Sequence, residues 1–87
     1  MSVYLVERNL KGITMDQLGA AQRRAIDTSK EFCNRGKQVR YIRTTFVPGE
    51  ERSMCLFEAS SQDLVREVNE EAQIPFVRIV EALDLTP

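Results

Sequence analysis

Residues 52–72 read RSMCLFEASSQDLVREVNEEA. The stretch opens with a strand-like run, residues 52–59, in which Met, Cys, Leu and Phe dominate. Ser60 or Ser61 then supplies a helix cap. Leu64, Val65, Val68 and Ala72 follow at steps near three and four, which places them on one side of a helix. Ile74-Pro75 stops that helix, because the residue before a proline is pushed out of the α region. A strand followed by a capped helix with almost no connection between them is half of a βαββαβ domain.

The flanking residues supply the other half. Residues 3–8 are rich in Val, Tyr and Leu and are predicted as a first strand. Residues 9–13 connect it to a helix that begins at Thr14, where Thr14-Met15-Asp16-Gln17 has the form of a capping box. Met15, Leu18, Ala21, Ala25, Ile26, Phe32 and Cys33 make its expected buried stripe, and Gly36 is the expected left-handed cap. Residues 37–47 form a second strand. Pro48-Gly49 suits the central positions of a type II turn, with positive φ at glycine. Residues 76–85 form a fourth strand. The expected fold is α+β and ferredoxin-like: one domain over residues 1–87, a four-stranded antiparallel sheet in the order 4-1-3-2, and both helices on one face.

Alternation along the strands divides their side chains between two faces. Tyr4 and Val6, Ile42, Thr44 and Phe46, Cys55, Phe57 and Ala59, and Val80 and Ala82 are expected under the helices. Val3, Leu5 and Glu7, Tyr41, Arg43 and Thr45, Met54, Leu56 and Glu58, and Ile79, Glu81 and Leu83 are expected on the other side. That second face is too apolar to be simply solvated. Apolar patches of this size mark interfaces or pockets. With 87 residues and 43% hydrophobic composition, the chain has a single modest core. Both points predict a homodimer or higher homo-oligomer packed face to face, a dimeric α/β barrel with a partly polar cavity.

Composition narrows the chemistry. The net charge of −1 creates no field that would draw nucleic acid or an anionic membrane. No apolar run approaches the ~20 residues of a membrane span. The N-terminus lacks a basic segment and a cleavage site, so no signal peptide is expected. Cys33 and Cys55 have no metal-ligand spacing; both are expected in the core, and a reducing, cytoplasmic setting is the simplest reading. There is no histidine, which excludes Ser-His-Asp and Cys-His catalysis. Arg23, Arg24, Arg35, Lys37 and Arg40 form a loose basic set. RNA binding would need exposed aromatics on the third strand, where Met54, Leu56 and Glu58 stand instead.

Three carboxylates, Glu7, Glu58 and Glu81, are placed by alternation on the second face and are the candidate ligands for a divalent metal ion. In the expected strand order Glu7 and Glu58 are offset by about four residues, roughly 13 Å. A shared site would therefore draw on two subunits. Tyr41, Arg43, Met54, Leu56 and Glu58 are the candidate small-ligand residues, with Arg43 as an anion-binding group.

Tyr4-Leu5-Val6-Glu7-Arg8, Cys55-Leu56-Phe57-Glu58-Ala59-Ser60, Val65-Arg66-Glu67 and Ile74-Pro75 resemble a family of small bacterial proteins. That family was long a domain of unknown function and includes a nickel-responsive, nickel-binding member. The resemblance covers nearly the whole chain and implies a ferredoxin-like fold and a dimer with packed sheets. The family pattern has histidines near Arg43 and near Val68, and neither is present here. Among possible ligands only Glu7 and Glu58 match family positions, so the nickel role is not carried over residue by residue.

The leading expectation is a non-enzymatic, dimeric protein that binds a small ligand or metal ion on the sheet face. No cofactor is assigned beyond a possible divalent ion. One alternative is a cofactor-independent α/β-barrel enzyme of monooxygenase or isomerase type, with Glu58, Tyr41 and Arg43 as working groups. Another is a structural or regulatory interaction module.

Overall fold

A computed structural model describes all 87 residues. Its elements are β1 (Ser2–Asn9), α1 (Met15–Asn34), β2 (Val39–Val47), β3 (Arg52–Ala59), α2 (Gln62–Glu71) and β4 (Arg78–Ala82). The strands form one antiparallel sheet in the order β2-β3-β1-β4. This is the ferredoxin-like arrangement expected from the sequence. No helix is long and apolar enough to cross a membrane.

The caps form as the sequence requires. Thr14 and Gln17 satisfy each other's backbone N–H groups at the start of α1. The Ser61 hydroxyl accepts from the Leu64 N–H at the start of α2. Both helices end in the same double hydrogen bond. Gly36 N–H donates to the Cys33 carbonyl and Lys37 N–H to that of Phe32; Gln73 N–H donates to Glu70 and Ile74 N–H to Asn69. This motif needs a left-handed residue. Gly36 fills it for α1 at φ +84°, and Gln73 fills it for α2 at φ +58°.

The core lies between the sheet and the helices. Tyr4 and Val6 of β1, Cys55, Phe57 and Ala59 of β3, and Leu64, Val65 and Val68 of α2 are buried there. From α1 come Ala25, Ser29 and Phe32, with Leu18 and Ala21 half-buried. Met15 and Cys33 are exposed instead. At 100° per residue they lie about 80° around the helix from the centre of that stripe, outside its reach.

The hairpin between β2 and β3 also departs from expectation. The left-handed residue is Glu51, at φ +52°, and not Gly49. Glu51 is held by its backbone carbonyl, which accepts from Leu10 N–H, and by its carboxylate, which accepts from Gly12 N–H at 2.7 Å.

Two strands present faces different from those expected. A bulge in β2 lies between Tyr41, which pairs with Phe57, and Arg43, which pairs with Leu56. Ile42 is the extra residue, so the alternation inverts there. Tyr41 therefore lies on the helix side, its ring edge-on to Phe57 with centroids 5.6 Å apart. Its hydroxyl shares a 2.6 Å hydrogen bond with Thr44 and accepts from Gln22 at 3.0 Å. In β4, Ile79 pairs with Val6 and Glu81 with Tyr4, so both belong to the helix side; Val80, paired with Leu5, belongs to the open face. The apolar residues at 79, 80 and 82 fit either assignment by alternation. Burial of Ile79, whose carbonyl accepts from Gln62 of α2, selects one.

One polar layer crosses the core. Arg8 is 2% exposed and Asn69 fully buried. The Arg8 guanidinium donates to Asn69 Oδ1, to the Pro75 carbonyl at 3.2 Å and to Cys55 Sγ at 3.6 Å. Asn69 Nδ2 donates in turn to the Val65 carbonyl at 2.8 Å.

Candidate functional site

The face of the sheet away from the helices is the candidate site. Val3 and Leu5 of β1, Met54 and Leu56 of β3 and Val80 of β4 form its middle, all half-buried. No aromatic side chain stands on it: Tyr4, Tyr41, Phe46 and Phe57 all point to the helix side by register.

Charged residues stand at both ends. Glu7 sits between Met54 and Arg78 in the pairing, and its carboxylate accepts from Arg78 Nε at 3.2 Å. At the other end Glu58 sits between Val3 and Arg40, and accepts from Arg40 Nη2 at 3.3 Å. Arg43 donates to Asp84 at 3.1 Å. Arg43 belongs to β2 and Asp84 follows β4, at opposite edges of the sheet, so the segment after Ala82 bends across the open face. That departure also ends β4 before residue 85. Each pair is partly solvated, so each adds at most about 1 kcal/mol. Together they leave the face without a net charge.

Five of the predicted site residues therefore share this face: Glu7, Arg43, Met54, Leu56 and Glu58. Tyr41 does not, because the β2 bulge turns it under α1. Glu81 does not, because the β4 register puts it opposite Tyr4. The set Glu58, Tyr41 and Arg43, which would serve acid–base chemistry, is not assembled: each member has a different partner. Sequence reading missed Arg40, Arg78 and Asp84 as the partners of Glu58, Glu7 and Arg43. Arg40 and Arg78 follow only once the register is known, and Asp84 only once the path of the terminal segment is known.

The carboxylates stay apart. Glu7 pairs with Met54, four residues from Glu58 along β3, a separation of roughly 13 Å. No three Asp, Glu or Cys side chains converge where they could hold a metal ion. Cys55 is buried on the helix side and Cys33 sits on α1, its thiol donating to the Val39 carbonyl at 2.8 Å.

Comparison with known proteins gives two findings. Residues 4–82 match the family described as "Nickel responsive protein SCO4226-like". The crystal structure of SCO4226 from Streptomyces coelicolor A3(2) superimposes with a TM-score of 0.81, covering 98% of this chain and 100% of that one. The two sequences are 23% identical, so the superposition establishes a common fold. No curated protein matches the sequence.

Proposed function

Since the chain belongs to the nickel-responsive SCO4226-like family, we propose that it is a binding protein, not an enzyme, acting as a homodimer through its open sheet face. A metal ion or small ligand would be held there by Glu58 and Glu7 with Arg43, Met54 and Leu56. The observation that carries this reading is an apolar middle of Val3, Leu5, Met54, Leu56 and Val80 bounded by carboxylates at two separated ends. A second copy suits such a face. Its ion pairs leave no net charge to repel a twin, and its apolar middle gains about 25 cal/mol for each Å² removed from water. The two free cysteines suit a reducing, cytoplasmic setting.

Nickel itself fits poorly. It favours imidazole and thiolate donors; the chain has no histidine, and neither cysteine stands on the open face. Glu7 and Glu58 offer oxygen only, which suits harder divalent cations. Their separation makes a site from one protomer alone impossible, so a shared ion would need carboxylates from both copies.

Light scattering with size-exclusion chromatography, followed by calorimetric titration with manganese(II), magnesium(II) and nickel(II), tests the reading. A dimer that binds an oxygen-preferring ion, and loses it in Glu58→Gln, is expected. A monomer at about 100 μM that responds to no ion would remove its support.

A further inference from the structure

The helix side of the sheet carries a second polar feature, independent of the open face. Arg8 is buried, yet all six ion pairs of the chain lie elsewhere. Its three hydrogen bonds go to neutral acceptors: Asn69 Oδ1, the Pro75 carbonyl and Cys55 Sγ. A guanidinium carries five N–H groups, so two remain without an acceptor in the chain. A buried cation without a counter-charge is costly, by several kcal/mol in folded proteins.

A small cavity between α1 and the sheet is lined in part by Arg8. Ser53, which pairs with Arg8 across the sheet, lines the same cavity. Ser53 is 1% exposed, and its hydroxyl has no hydrogen-bond partner. Gln22, Thr44 and Cys55 complete the polar wall, Thr44 and Cys55 bonding to each other at 3.1 Å; Leu18 and Ala25 are apolar. No carboxylate lines the space. It leaves about 10 Å³ for the centre of a water-sized sphere, room for one water or one monatomic ion and too little for phosphate or sulfate. Water would satisfy Ser53 but leave the charge of Arg8 uncompensated.

We propose that this cavity is a binding site for one monatomic anion, chloride in the cell, held by the free N–H groups of Arg8 and the hydroxyl of Ser53. The anion supplies the missing counter-charge and ties β1 and β3 to the underside of α1. Its binding is therefore linked to folding.

Bromide is the probe. The full chain is crystallised in sodium bromide, and its melting temperature is measured in sodium bromide and sodium gluconate at equal ionic strength. The expected result is an anomalous bromide peak within hydrogen-bond distance of both Arg8 and Ser53. Melting should rise with the logarithm of bromide concentration above the dissociation constant, by about 5–10 °C at ten times that constant for a domain of this size. Ser53→Ala keeps the packing and the charge but should bind bromide at least about tenfold more weakly, the effect of losing one donor to a charged group. A water in the cavity with bromide only at surface sites would overturn the proposal, as would the same bromide dependence in wild type and Ser53→Ala. So would a Cys55 thiol already ionised at neutral pH in halide-free buffer, because the thiolate would then be the counter-charge.

Discussion

Asn69→Leu tests the polar layer on which the packing of α2 depends. Asn69 is fully buried on the inner side of α2, beside Val65 and Val68. Leucine has the same branching and would suit that apolar side, but it is larger, and crowding at this buried position cancels part of its gain. The substitution removes the acceptor of an Arg8 N–H inside the core. A hydrogen bond to a charged group contributes about 1.5–3 kcal/mol, and stripping a partner from a buried charge lies toward the upper end. Better apolar burial by leucine offsets part of this, at about 25 cal/mol per Å². The net loss is about 2 kcal/mol, which lowers Tm by about 8–16 °C in a domain this small. The chain has no tryptophan, so urea unfolding is followed by circular dichroism at the helix band.

The decisive measurement is the double-mutant cycle with Arg8→Met. Alone, Arg8→Met leaves Asn69 Oδ1 and the Pro75 carbonyl short of a donor and costs about 1–3 kcal/mol. Combined with Asn69→Leu, it removes the orphaned charge together with its cause. The double variant should then be more stable than the sum of the two losses by about 2 kcal/mol. Additivity within about 0.5 kcal/mol would refute the view that Arg8 and Asn69 act as one buried unit.

Gln73→Gly should stabilise the protein by about 1 kcal/mol, because Gln73 holds a left-handed conformation that glycine adopts freely and its side chain is exposed; thermal melting reads the gain as a Tm rise of about 4–8 °C. Tyr41→Phe removes a hydroxyl bonded to Thr44 and Gln22, so a loss of about 1 kcal/mol in urea unfolding is expected; no loss would place Tyr41 outside the helix layer. Leu56→Lys sets a charge in the middle of the open face and should yield a folded monomer by light scattering with an unchanged dichroism spectrum. Arg40→Ala should change stability by less than about 1 kcal/mol, since its pair with Glu58 is partly solvated.

Much of this protein was legible in its sequence because the signals are local. The Thr14-Gln17 box, the Ser61 cap, Gly36, Pro75 and the period of α2 each act within a few residues, and together they dictate six elements in one order. Once the order is βαββαβ, the antiparallel sheet follows from how the apolar faces are covered. Alternation along β1 and β3 was equally readable: Tyr4, Val6, Cys55, Phe57 and Ala59 are buried as it requires.

What the sequence left open was register. One extra residue at Ile42 turns Tyr41 from the open face to the core, and no local composition announces a bulge. In β4, residues 79, 80 and 82 satisfy either face, and only the pairing of Ile79 with Val6 under α2 decides that Glu81 parts from Glu7. The candidate carboxylates, their arginine partners and the buried cation of Arg8 thus depend on contacts between residues 18 to 71 positions apart. Strand periodicity tells which residues alternate; only the packed sheet determines which of the two faces each one takes.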